Sequence, residues 1–318
     1  MIWRRIGFRL LALLPILFAS SVVVFFTLNL VPGSAASAFL GNHQTPHTIA
    51  VFNHRYGLDR PLVVQYVDWV SHAIHGDFGQ SLQSQDAVGP QVVSRIPITL
   101  ELAGLGMLVA LLIGLPLGIV AAVRRGRRTD IGLSIIAVGG MSIPNFVVAT
   151  VLVLVFALQL GLVPVGGYIP FSEDPLRNLT LLALPAIALG LASSTILFRI
   201  MRSSMLEVLE SDYVRTATAK GVSFRMVVLR HAFRNALIPF LTVAGLEFAG
   251  LFGGAVIIEQ IFLIPGLGSY VYEAVQGRDY FVLLASVMVM ATMVVVVNAL
   301  VDIAAMFIDP RRVAGEAR

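Results

Sequence analysis

Few residues in this 318-residue chain could do chemistry, and their spacing excludes more than it offers. The single lysine, Lys220, follows Ala219 and precedes Gly221, so no G-x-x-x-x-G-K-[ST] phosphate loop is present. There is no cysteine, which removes thiolate nucleophiles and disulfides. Neither H-E-x-x-H nor G-x-S-x-G occurs, so the commonest metalloprotease and serine hydrolase signatures are missing. His43 and His47 are four apart but Pro46 lies between them, and His72 and His75 could share one helix face. Both pairs read as solvated histidines, and no metal site and no catalytic residue are expected.

Four acids stand out for a different reason. Glu101, Glu247, Glu259 and Asp302 fall within or at the ends of long apolar runs. A carboxylate facing lipid is costly, so each should face protein or a water-filled path. They are candidates for the lining or gate of a translocation path, or for hydrogen bonds near span ends.

The apolar runs dominate the chain. Hydrophobic residues make up 57% of it and charged residues 13%, against about 25% charged in ordinary soluble domains. Runs of roughly 20 apolar residues cross a bilayer as helices. Six are expected, over 10–31, 98–123, 131–160, 179–200, 237–263 and 281–308. The third is long enough to tilt or to end in a non-helical stretch. The first is too long for a signal-peptide core and is expected to be retained. The fold class is an all-α integral membrane protein with six transmembrane helices. Of the 22 Lys and Arg residues, 17 lie at the termini, in 124–128 and in 199–234. That asymmetry places both termini in the cytoplasm.

The chain divides into 1–31, a tail and first span; 32–97, an extracytoplasmic loop domain; 98–308, a five-helix core with a cytoplasmic region at 201–236; and 309–318, a tail. Within the loop, Val63, Tyr66, Val67, Val70 and Ile74 form one helical stripe. This predicts an amphipathic helix on the membrane surface or on the protein's outer face. "GLFGGAVIIEQIF" in the fifth span brings Gly250, Gly253 and Gly254, which would let another helix approach closely.

A short polar segment, "SDYVRTATAKG", interrupts the apolar pattern at 211–221. Ser211 suits a helix N-cap, Asp212 the first turn, Lys220 the last turn and Gly221 a left-handed stop. A helix of about nine residues is marginal alone in water and needs a surface to pack against. Thr216, Ala217 and Ala219 are small enough to admit one closely. Ser223 restarts a basic helix that runs through Pro239 into the fifth span, so a push on the short helix would reach a transmembrane helix.

"YVRTATAKGVSFRMVVLRHAFRNALIP" resembles the cytoplasmic EAA loop of ABC importer permeases. The resemblance covers nearly the whole chain through "YGLDRPLVVQYVDWV", "HGDFGQSL", "RIPITLELA", "SIPNF", "GGAVIIEQIFLIPGLGSYVYEAV", "RDYFVL" and "DPRRV". These are similar to the first permease subunit of the oligopeptide/dipeptide/nickel class. The chain departs from that pattern at Thr218, where arginine is frequent, at Asp212, where glutamate is frequent, and in "VPGSAA".

The resemblance implies the six-span permease fold and half of a heterodimeric channel in a bacterial-type cytoplasmic membrane. Asp212, Tyr213, Arg215, Thr216, Ala217, Ala219, Lys220 and Gly221 would form the coupling helix that docks on an ATPase subunit. Two ATPase subunits would bind ATP and Mg, and this chain would hold no cofactor. A second homologous permease, an extracytoplasmic solute-binding protein and membrane lipid are the implied partners; nucleic acid is not. Short peptides are the favoured cargo, with nickel chelates or glutathione as alternatives. An ion-coupled secondary transporter using the four acids is the reading from a different class.

Overall fold

A computed structural model describes residues 2–29, 35–40 and 44–308. The tail at 309–318, with "DPRRV", and His43 lie outside them. The helices are α1 (Ile2–Asn29), α2 (Ala35–Leu40), α3 (Pro46–Arg55), α4 (Leu62–Ala73), α5 (Val88–Val123), α6 (Arg128–Met141) and α7 (Asn145–Leu152). They continue with α8 (Pro175–Leu209), α9 (Asp212–Ala219), α10 (Phe224–Met226), α11 (Phe233–Ile261), α12 (Leu267–Gly277) and α13 (Tyr280–Ile308). Among the described residues five helices are long and apolar enough to cross a membrane, and a bent pair raises the number to six.

The bent pair corrects the third expected span. α6 and the helix Asn145–Gln159 meet at 98° across Ser142–Pro144. Pro144 supplies no amide to continue the α6 ladder and pushes Ile143 out of the helical region, so the turn falls at this point. The fifth span is also longer than its apolar run. α10, the wider i→i+5 turns of Val227–Ala232 and α11 make one stretch, Phe224–Ile261. α5 and α8, at 36 and 35 residues, are each about 50 Å long, against a hydrocarbon core of about 30 Å. Both therefore project into the aqueous layers.

α5 and α8 form the most extensive helix pair. Glycine makes their approach possible. A Cβ on Gly114 would lie 2.6 Å from the Ser194 carbonyl oxygen, and one on Gly118 would lie 2.7 Å from Met201 Cβ. Leu102, Leu182, Leu189, Phe252, Ile258 and Phe262 fill the core between α5, α8 and α11. A second cluster around Leu197, Met201, Met205 and Phe240 continues it toward α9.

The bundle has an α4 end, carrying α2–α4 and α12, and an α9 end. The stripe expected on α4 is split. Tyr66 meets Phe25 edge-on and Phe26 at a tilt on α1, with centroids 5.4 and 6.1 Å apart, and the Tyr66 and Ser21 hydroxyls are 2.8 Å apart. Val63, Val67 and Ile74 remain exposed.

Candidate functional site

The segment 211–221 is a helix standing proud of the α9 end. Val214 is its only buried side chain and Ala217 is half-buried. Asp212, Tyr213, Arg215, Thr216, Ala219 and Lys220 are exposed. One buried valine contributes about 1.5–3 kcal/mol, little for a helix of eight residues that is marginal on its own. Its ends supply the rest.

The C-terminal stop is closed by backbone. Gly221 has φ +84°, its amide donates to the Thr218 carbonyl at 3.0 Å, and the Val222 amide donates to the Ala217 carbonyl at 3.2 Å. This is the paired-bond Schellman closure. The N-terminus differs from the sequence expectation. Ser211 has the extended backbone of an N-cap, but its hydroxyl donates backward to the Val208 carbonyl at 2.5 Å instead of accepting from α9.

One tether joins this helix to a span, and others brace its surroundings. Asn235 Nδ2, on α11, donates to Tyr213 Oη at 2.8 Å. On the other side, Glu210 at the end of α8 pairs with Arg125. Asp130 accepts from Arg202 Nε at 2.7 Å, from Arg202 Nη2 at 2.9 Å and from the Gly126 amide at 3.0 Å. This forked pair fixes the α5–α6 turn to α8 about two turns before that helix ends. Phe224 and Leu229, 58% and 66% exposed, place an apolar patch just beyond α9 in the chain.

Asp130 gives a direct test. Its carboxylate is buried, whereas Arg202 can partly rehydrate. Asp130→Ala is expected to lower unfolding stability by about 1.5–3 kcal/mol, the range for hydrogen bonds to charged groups. Thermal unfolding of the purified chain in detergent measures it. An unchanged midpoint would remove the pair from the structural account.

The four acids have different surroundings. Glu259 is fully buried and accepts from Thr99 Oγ1 at 2.6 Å and from the Ser269 amide at 2.9 Å. It thus caps α12 from α11, because Gly266 at the α12 N-cap has no side chain to do so. Glu101 is half-buried and accepts from Tyr168 Oη at 2.8 Å, which ties the loop before α8 to α5. Burial first, and then that bond to Glu101, push the Tyr168 phenol up to about 12. Asp302 is half-exposed and pairs with Arg9 of α1. Glu247 is half-buried on α11 and has no hydrogen-bond or ionic partner among the described residues.

Sequence reasoning missed several tethers. Asp279 accepts from Ser81 Oγ at 2.6 Å and from the Val282 amide at 3.3 Å, clamping the "HGDFGQSL" loop to the start of α13. Arg95 lies 4.4 Å from the Tyr270 ring centroid and donates to the Pro265 carbonyl at 3.2 Å. Asp130, Asp279 and Arg95 are charges flanking apolar runs, and that position was the available signal. His72 and His75 each bond a carbonyl of their own helix turn, Asp68 and Ser71 respectively. The bond to Asp68 raises the His72 pKa.

The glycines of the fifth span separate into two faces. A Cβ on Gly254 would meet Leu189 at 3.0 Å, so that glycine serves packing within the chain. Gly250 and Gly253 face open space and align with exposed Leu246 and Ile257 along α11.

Residues 114–313 match the family described as binding-protein-dependent transport system inner membrane component, and residues 2–103 match its N-terminal companion. The dipeptide transport system permease protein DppB of Alkalihalophilus pseudofirmus is 38% identical, over 95% of this chain and 97% of that protein. The di/tripeptide transport system permease DppB of Pseudomonas aeruginosa is also 38% identical, over 97% of each. Among solved structures, the inward-facing MetNI methionine ABC transporter contains a chain with TM-score 0.58 and 17% identity, covering 69% of this chain and 96% of that one.

Proposed function

Since the chain belongs to the binding-protein-dependent transport system inner membrane component family, we propose that it is one of two permease subunits of an ATP-driven importer for short peptides. The peptide cargo rests on the relatives named as dipeptide and di/tripeptide permeases. The observation that carries the coupling mechanism is α9. It is a short, exposed helix closed at Gly221 and tied through Tyr213 to Asn235 of a spanning helix.

In this reading an ATPase subunit grips α9, with Asp212, Arg215, Thr216, Ala217, Ala219 and Lys220 at the contact. ATP and Mg bind on that partner. Closure of two ATPase subunits displaces α9, and the continuous Phe224–Ile261 stretch carries the displacement across the membrane. The second permease packs on the open α11 face at Gly250 and Gly253, where its helix comes close without meeting a side chain. A solute-binding protein delivers cargo at the α4 end.

An ion-coupled mechanism would need carboxylates free to exchange ions along a path. Glu101, Glu259 and Asp302 are each engaged within the chain. Glu247 remains, and its place near the open α11 face supports a role at the subunit interface or along the path. Glu247→Leu is expected to leave the isolated chain's unfolding midpoint unchanged and to cut uptake by the assembled importer several-fold. Wild-type uptake would remove Glu247 from the path.

The test of the function is a reconstituted complex of this chain, a second permease, two ATPase subunits and a binding protein. Labelled dipeptide should enter only with binding protein outside and ATP inside. Uptake driven by a proton gradient without ATP would overturn the reading, and uptake of a nickel chelate or glutathione in place of peptide would reassign the cargo.

The proposed orientation rests on the basic residues, 17 of 22 of which fall in the terminal segments, 124–128 and 199–234 of the sequence. Ser84 and Thr216 are both exposed, and the chain has no native cysteine. In intact cells a membrane-impermeant thiol reagent should label Ser84→Cys and spare Thr216→Cys. The opposite pattern would invert the topology.

A further inference from the structure

We propose that Arg199 binds the C-terminal carboxylate of the peptide cargo in the cleft between α6 and α8; the proposal rests on the importer reading above. The cleft measures about 580 Å³ and is lined by Ser134, Val138 and Met141 of α6 and by Ile196, Arg199 and Ser203 of α8, among others. Small-molecule sites run from roughly 300 to 1,000 Å³.

The acids flanking this cleft are already engaged. Asp130 takes the fork of Arg202, and Glu210 pairs with Arg125. Arg199 is exposed, and its polar contact among the described residues is from Nη1 to the Met141 sulfur at 3.6 Å. A thioether is a weak acceptor and does not neutralise a guanidinium, which is charged at all working pH values. The planar fork of arginine matches a carboxylate through two parallel hydrogen bonds.

Depth selects cargo over a lipid phosphate. Asp130 lies in the first turn of α6, beside the arginine-rich α5–α6 turn that must stay at the aqueous layer. Met141 ends α6 eleven residues later, about 16 Å along the helix. That is about half of a hydrocarbon core about 30 Å thick, and phosphates lie outside that core. A charged side chain so deep faces protein or a water-filled path. The exposure of Arg199 and the hydroxyls of Ser134 and Ser203 fit a path.

A second uncompensated charge lies on the same side of the bundle. A Cβ on Gly254 would meet Leu189 of α8 at 3.0 Å and Asn145 of α7 at 3.5 Å. Glu247 is seven residues before Gly254, so it shares that face about two turns nearer α9. On the antiparallel α8, Ile196 is seven residues after Leu189 and reaches about the same height, one turn from Arg199. A cation and an anion therefore stand below α7 within about a turn of each other in height. A short peptide, with an ammonium at one end and a carboxylate at the other, carries the complementary pair.

The experiment uses the reconstituted complex with saturating loaded binding protein. Uptake of a labelled dipeptide is compared with uptake of its C-terminal amide, and the ratio of the two rates is read. The binding protein is the same throughout, so its own preference cancels between variants. Arg199→Gln should lower the acid-to-amide ratio at least about tenfold, the low end for a hydrogen bond to a charged group. Val138→Glu adds an acid on the opposite wall, at a position 62% exposed, and should lower the ratio similarly by occupying Arg199. It serves if Arg199→Gln does not fold. An unchanged ratio, or equal slowing of both substrates, would overturn the carboxylate site and leave the importer reading standing. No peptide uptake by the wild-type complex would overturn both. A phospholipid retained by the wild-type chain in native mass spectrometry and lost from Arg199→Gln would give the arginine to a lipid phosphate and overturn the cargo site.

Discussion

Replacing Gly221 with valine will abolish stimulation of ATP hydrolysis by loaded binding protein, and uptake with it, while the spanning helices stay folded. Gly221 sits at φ +84°, and no atom lies within 4 Å of the Cβ a side chain would bring. The penalty is therefore conformational and not a collision. A non-glycine residue in the left-handed region costs roughly 1–2 kcal/mol, and a β-branched one is a more severe outlier. Valine escapes that cost by leaving the left-handed region, which breaks the Gly221 and Val222 amide bonds to α9 and re-aims the chain toward α10. Asparagine tolerates the conformation, so Gly221→Asn should stay near wild type and Gly221→Ala should fall between. If an ATPase subunit docks on α9 as proposed, Ala217→Trp acts differently, by holding that partner off a half-buried position. ATPase and uptake measured side by side on the reconstituted complex decide. Full coupling in Gly221→Val would leave 211–221 an ordinary connection.

The second large effect concerns stability. Glu259→Ala is expected to destabilise the chain by about 2–6 kcal/mol, because the Thr99 hydroxyl and Ser269 amide would each lose a buried acceptor at about 1–3 kcal/mol. Total stabilities of 5–15 kcal/mol make that a large fraction. Glutamine has one acceptor oxygen for these two donors, so Glu259→Gln should lie between wild type and alanine. Unfolding midpoints and the yield of folded protein in detergent report the order. A path residue would behave in the opposite way, losing transport while the midpoint stayed put. A wild-type midpoint for Glu259→Ala would remove the capping role.

The two positions differ in how legible they were. Gly221 could be read from the chain because a helix stop is local: small residues, a lysine and then glycine follow within one turn. Glu259 could not. Its apolar context marked it as unusual, but its partner Thr99 lies 160 residues away. Asp279 meets Ser81 across 198 residues and was not singled out at all. The N-cap assigned to Ser211 failed for another reason, since Val208 competes for the same hydroxyl one turn earlier.

By itself the sequence determined that the chain is helical, crosses a membrane several times and carries one short polar helix between two spans. These properties follow from the bilayer, which demands long apolar runs with every backbone group bonded internally. Tertiary structure alone decided the 98° break at Ser142–Pro144, the division of the α11 glycines between an inner and an open face, and the partners of Glu101, Glu259 and Asp302. Apolar runs carry no record of which helix they will touch, because lipid and protein interior are about equally apolar. Those choices rest on shape and on a few hydrogen bonds between distant residues, which exist only once the helices have packed.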